Sequence, residues 1–216
     1  MTGIVVDLQK DILDSSIDTL NLLRKAYLVA RKLKLKDFEE WVYNELNGYK
    51  STDKIPDYRN ITGELNAWNH RIGWNAVALP NNEVQNLFCR KALADSIANL
   101  QKLSDSSSDG RLTGSFTADV TQILIEKTGV NTTFILKIGA NQLYNIIEIV
   151  RNHLLEWAIT LEEHGVLGED MQFTDTELAT ATSTAPIYNY TANFYGNVEN
   201  AQVQQDSTAS TQEIDF

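Results

Sequence analysis

Arg24, Lys25, Arg31, Lys32, Lys34 and Lys36 fall within the thirteen residues RKAYLVARKLKLK, a run that contains no acid. Cations gathered along one helix are the groups that contact nucleic-acid phosphates, so this run is a candidate phosphate-binding stripe. The same spacing also suits a cationic last turn that complements a helix dipole, answered by Asp37, Glu39 and Glu40 just beyond it. A smaller cluster sits at His70 and Arg71, between Trp68 and Trp74. Either it projects from a β turn beside two indoles, or the turn packs on the core.

Other chemistry finds no pattern in the sequence. There is no GxxxxGK[ST] or GxGxxG phosphate loop, and no GxSxG nucleophile elbow. His70, His153 and His164 show neither HExxH nor HxH spacing, and Cys89 stands alone, so no metal ligand set, disulfide or cofactor is expected. Cys89 reads as a small buried apolar residue. An Arg five to seven residues ahead of a His would pair an acid and a base for RNA cleavage. Here Arg151 precedes His153 by only two. Adjacent acids such as Glu39 and Glu40 diverge by ~100° around a helix and read as capping and solvated charges. No catalytic residue is assigned.

The elements that must position these groups are mostly helical. Ile4, Leu8 and Ile12 mark a first helix, and Ser15 with Asp18 resembles a capping box for a second that starts at Ile17. That second helix carries Leu20, Leu23, Tyr27 and Ala30 flanked by Leu22, Ala26, Val29 and Leu33, a stripe wide enough for burial on more than one side. Asp37 and Glu40 suggest a cap for a third helix, with Phe38, Trp41, Val42 and Leu46 inward and Gly48 as its stop. The strongest helix signal is late in the chain. Leu143, Ile147, Val150, Leu154, Trp157 and Leu161 recur at spacings of 4, 3, 4, 3 and 4, with Gly165 at the expected end.

Between these helices the period changes. Residues 58–79 alternate about the turn-prone NHRIG and predict an antiparallel pair. KALADSIANLQKL predicts a helix, SDSSSDG (104–110) a surface loop, residues 117–127 a helix and NTTFILKIG a strand. The predicted class is α+β, mainly α: a helical bundle with a small antiparallel β insertion and a C-terminal β-forming tail.

The charge is unevenly placed. Residues 1–151 hold 18 acids and all 18 bases, whereas residues 152–216 hold 11 acids and no base, which accounts for the net charge of −11. A balanced body leaves room for a local basic patch. Nothing approaches the roughly 20 apolar residues of a membrane span, and charge appears too early for a signal-peptide core, so a cytoplasmic location is expected. In the tail, Tyr188, Tyr190, Phe194, Val198 and Val203 stand at near-strand spacing around the turn signal Gly196–Asn197. A single hairpin is marginal in water, so these residues predict docking on the body or self-association through stacked copies, while the composition also suits a disordered tail.

The segments VVDLQKDILDSS, LLRKAYLVARKLKLKDFEEWVYNELNGY, IPDYRNITGELNAWN with GWNAVALP, and VRNHLLEWAITLEEHGVLGEDMQFT together resemble the AbiTii domain of bacterial defence loci, over about residues 3–175. The resemblance implies anti-phage defence of the abortive-infection type, as an effector or toxin component, with a defence-system partner protein. It carries no catalytic residues. The expected organisation is a mainly helical AbiTii-like domain (1–168), an acidic flexible linker (169–186), a β-forming oligomerisation segment (187–205) and a disordered tail (206–216). Two alternatives remain beside a self-associating defence protein. They are a nuclease with an unrecognised site, metal-dependent or not, and a nucleic-acid-binding module.

Overall fold

The computed structural model describes residues 3–107 and 109–184. Its first half comprises α1 (Ile4–Leu13), α2 (Thr19–Leu33), α3 (Lys36–Asn47), β1 (Asn60–Thr62), β2 (Glu64–Asn69), β3 (Gly73–Ala76) and α4 (Asn82–Cys89). Then follow β4 (Arg90–Ala92), α5 (Ile97–Ser106), β5 (Arg111–Ser115), α6 (Ala118–Thr128), β6 (Phe134–Gly139), α7 (Asn141–Glu163) and α8 (Asp175–Thr184). The class is α+β and mainly α, as predicted. No described helix is long and apolar enough to cross a membrane.

The helical layer is built on α7. All six residues of its predicted seam are buried, and they join Leu22, Leu23, Ala26 and Val29 of α2, Leu8 of α1, Phe38 and Trp41 of α3 and Leu100 of α5 in one core. Two predicted caps move. Asp18, not Ser15, caps α2, its carboxylate accepting from the Leu20 N–H at 3.2 Å, and the helix begins at Thr19. Lys34 ends α2 in the left-handed region (φ 60°), which leaves a two-residue link. Helix α3 therefore starts at Lys36 with no side-chain cap, and Asp37 lies inside its first turn, where a negative charge suits the helix dipole. Gly48 (φ 87°) ends α3 as expected.

The β insertion is larger than the sequence suggested. The predicted hairpin forms, with Trp68 opposite Trp74 and Asn66 opposite Ala76. The strand does not continue back to Tyr58, which lies in a 3-10 turn (Asp57–Arg59), and Gly63 separates β1 from β2 where an added Cβ would lie 2.4 Å from Leu136 Cγ. Ile61 on β1 instead pairs with β4 and enters the helical core. β6, the predicted NTTFILKIG strand, pairs with β2 on one side and β5 on the other, giving the antiparallel order β3-β2-β6-β5. Leu65, Ala67, Phe134 and Leu136 on one face pack under Phe88 and Cys89 of α4 and Leu124 of α6 to make a second core. Burial pushes the Cys89 thiol pKa up, consistent with an apolar role. The predicted KALADSIANLQKL helix divides into β4 and α5, which is capped by Ser96 accepting from the Asn99 N–H at 3.3 Å. α5 runs into the predicted 104–110 loop as far as Ser106.

The segment expected to be a flexible linker contains α8, and Ala181 of α8 is buried in the helical core. Thr174 and Glu177 form a capping box: the Glu177 N–H donates to Thr174 Oγ1 at 3.2 Å, and the Thr174 N–H to Glu177 Oε2 at 2.8 Å. Glu177 Oε1 also accepts from the Leu167 and Gly168 N–H groups at 2.8 and 2.9 Å. The carbonyls of these two residues in turn take the first N–H groups of α1, with Ile4 N to Gly168 O at 3.1 Å and Val5 N to Leu167 O at 3.2 Å. One carboxylate thus fixes a loop that caps α1. Burial alone would raise the Glu177 pKa, but the N–H groups it accepts outweigh that and hold it below its ordinary value.

Glu177→Ala should therefore cost about 0.5–2 kcal/mol, the usual loss for a helix cap. A carboxylate with a lowered folded-state pKa stabilises fully above its ordinary value and loses that contribution as pH falls through the folded-state value. Thermal melts of both proteins across pH should show the gap between them closing on acidification below about 4.5. A gap that stays constant there would remove the carboxylate's role.

Candidate functional site

The candidate phosphate stripe follows α2 and its exit, and three of its six cations are ion-paired on the protein. Lys25 pairs with Asp11 at 2.7 Å, while Arg31 and Lys36 both reach Glu39, at 3.4 and 3.3 Å. Lys32 donates to the Met171 carbonyl, and Arg24 to Asn21 Oδ1 at 3.3 Å. Lys34 occupies the left-handed turn residue. Arg31 also lies over the Tyr27 ring, 5.7 Å from its centroid. These contacts use the stripe to hold α1, α3 and the 169–171 turn against α2. The candidate oligomerisation residues Tyr188, Tyr190, Phe194, Val198 and Val203 lie outside the described residues.

Arg151 and His153 diverge along α7. Arg151 donates to the carbonyls of Ile12 (2.7 Å), Ile17 (2.8 Å) and Asp14 (3.2 Å), which ties the α1–α2 turn to α7. His153 turns toward the aromatic groups of the core, its ring 5.6 Å from Tyr58 and 6.2 Å from Trp41. Burial pushes its pKa down to about 4, so the imidazole is neutral at physiological pH. Beside Arg151 a cleft of about 490 Å³ opens between the α1–α2 turn, α5 and α7, lined by Asp18, Asp105, Glu148 and Asn152 among others. With the guanidinium committed to backbone carbonyls, the cleft presents acids to solvent. No group of three or more His, Cys, Asp or Glu that could hold a metal occurs among the described residues.

One polar cluster went unnoticed in the sequence. Glu45 of α3 and Arg59, in the short turn before β1, are both fully buried and paired. Arg59 Nε donates to Glu45 Oε1 at 3.1 Å and its Nη2 to Oε2, while Nη1 donates to the carbonyls of Leu93 (2.9 Å) and Asp95 (2.6 Å). The Tyr49 hydroxyl donates to Glu45 Oε1 at 2.6 Å, the Tyr58 hydroxyl donates to the same oxygen, and Trp41 Nε1 donates to Tyr58 Oη at 3.0 Å. Tyr49 stacks on the guanidinium at 4.8 Å. Burial, and then the Glu45 charge, raise both tyrosine pKa values. Burial opposes the Arg59 charge, but Glu45 outweighs it and holds that pKa above its ordinary value. This neutral, closed network links α3, the β1 turn and the β4–α5 link.

The described residues thus define a helical bundle with a sheet lobe, a buried ionic node that ties α3 to the β1 turn and the β4–α5 link, and an acidic cleft. The chain belongs to the AbiTii family, whose sequence model matches residues 3–185. That span takes in α8, beyond the boundary near residue 175 read from the sequence. No curated protein and no solved structure matches the chain.

Proposed function

We propose that the protein acts in bacterial anti-phage defence of the abortive-infection type, as a cytoplasmic effector or toxin component that works by self-association and by binding a partner or cellular target. Family membership across residues 3–185 carries this reading. The position of α8 supports the self-association step. The helix is anchored on the bundle through Ala181 and Glu177, so whatever follows Thr184 starts from a fixed point on the body. Residues 187–205, with Tyr188, Tyr190, Phe194, Val198 and Val203, are the proposed contact between copies.

The test compares the full chain with a variant lacking residues 186–216, measuring plaque formation by a broad phage panel and mass in solution. The full chain should reduce plaque formation or kill infected cells, and the truncated chain should lose both that effect and oligomer mass. Neither protection nor toxicity across the panel would overturn the defence reading, and unchanged mass after truncation would overturn self-association through the tail.

A further inference from the structure

The pairing register divides the four-stranded sheet into two faces, because residues paired across antiparallel strands point the same way. Leu65, Ala67, Phe134 and Leu136 form the covered face over the second core. The opposite face carries Trp74 and Ala76 of β3, Glu64, Asn66 and Trp68 of β2, Ile135 and Lys137 of β6, and Arg111, Thr113 and Ser115 of β5. None of its apolar residues belongs to either core. Asn66 and Ile135 are buried at the centre of this face, at 2% and 9% exposure, Trp74 and Lys137 are half-buried, and Glu64, Ala76, Arg111, Thr113 and Ser115 are exposed.

At one end of this face the Trp68 and Trp74 rings meet edge to face, with centroids 5.2 Å apart, and Trp68 is 39% exposed. The adjoining turn holds exposed His70 and Arg71. Toward the other end are Lys137 and Arg111. Lys137 lies four residues along β6 from Thr133, whose carbonyl accepts the Trp68 N–H, so it sits about 13 Å from the indole row at ~3.3 Å per residue. Arg71, Arg111 and Lys137 form no ion pair among the described residues, unlike Lys25, Arg31 and Lys36 of α2. Glu64 is the one acid on the face.

We propose that this uncovered sheet face binds single-stranded nucleic acid, with bases stacking on Trp68 and Trp74 and the phosphates running toward Lys137 and Arg111. Indoles accept any base on their faces and cations track the backbone, which is the chemistry of sequence-tolerant single-strand binding on open sheets. The cleft beside Arg151 is lined by the acids Asp18, Asp105 and Glu148, and three of the six α2 cations are ion-paired on the protein. The sheet face therefore carries this function independently of the defence reading.

The full-length protein would be titrated with labelled single-stranded RNA and DNA of about a dozen nucleotides and with a duplex of the same length, by anisotropy and tryptophan fluorescence. Single strands should bind with quenching and weaken with added salt, as counterion release requires. Trp68→Leu with Trp74→Leu should weaken binding by about tenfold or more, and Lys137→Glu should weaken it and flatten the salt dependence. Arg24→Glu, on α2, should change neither. RNA binding alone or binding of both strands supports the proposal, with RNA alone adding a 2′-hydroxyl contact. It is overturned by no binding at low salt, by preference for the duplex, or by unchanged binding in both the tryptophan and Lys137 variants. It is equally overturned if the tryptophan variant lowers solution mass while oligonucleotide binding persists, because the face then seats a second copy.

Discussion

Arg59→Met should lower the unfolding free energy by about 3–5 kcal/mol, because it leaves the Glu45 carboxylate charged and buried without its partner. Glu45 and Arg59 are both fully buried, and the guanidinium also satisfies the Leu93 and Asp95 carbonyls. Removing both charges, as Glu45→Met with Arg59→Met, should recover part of that loss. Recovery stays partial because the Tyr49 and Tyr58 hydroxyls lose their shared acceptor. Urea denaturation of the two variants, with unchanged m-values, measures the difference. A single variant within about 1 kcal/mol of the parent would mean that the site relaxes or admits water. Because this node joins α3 to the β1 turn and the β4–α5 link, its loss should also loosen those two connections.

Trp157→Ala should cost about 3–5 kcal/mol, the range for truncating a buried large aromatic. Trp157 is 3% exposed, stacks on Phe38 at a centroid distance of 3.8 Å and belongs to the α7 seam. The indole fills the space between α7 and α3, so its truncation leaves a cavity in the helical core. Trp68→Ala is the contrast. That indole belongs to no core, so its loss should shift stability by about 0.5 kcal/mol while removing a stacking surface. Equal losses for the two tryptophans would contradict the division into covered and uncovered surfaces.

The helical layer was legible because burial writes a period into the sequence: Leu143 to Leu161 repeat every three or four residues, and all six face the core. Cap positions were less so. Asp37 had the composition of a cap, but the left-handed Lys34 moved the start of α3 ahead of it. β5 was missed because Gly114 occupies an inward position that an apolar residue would have marked. The α8 segment has little apolar stripe. It is held by Thr174, Glu177 and Ala181, and the Thr-x-x-Glu capping signal was present in the sequence. Glu45 left a trace as well, a charge following Phe38 and Val42 at inward spacing, but its partner Arg59 lies fourteen residues on and no local rule connects them. The α2 cations were conspicuous in sequence because their partners Asp11 and Glu39 fall outside the run. His153, within the seam helix and only two residues after Arg151, reads as a flank or core residue, and burial lowers its pKa to about 4. Its depressed pKa also means that stability declines as pH falls from about 6.5 toward that value, since only the unfolded chain takes up the proton there.

The role proposed for this AbiTii-family protein is protection of a bacterial population at the expense of the infected cell. Infecting cultures that express it, at low and at high phage multiplicity, tests that role. Survival of the culture at low multiplicity, with collapse and little phage release at high multiplicity, is the predicted result. Cultures indistinguishable from an empty-vector control at both multiplicities, across the phage panel, would contradict it.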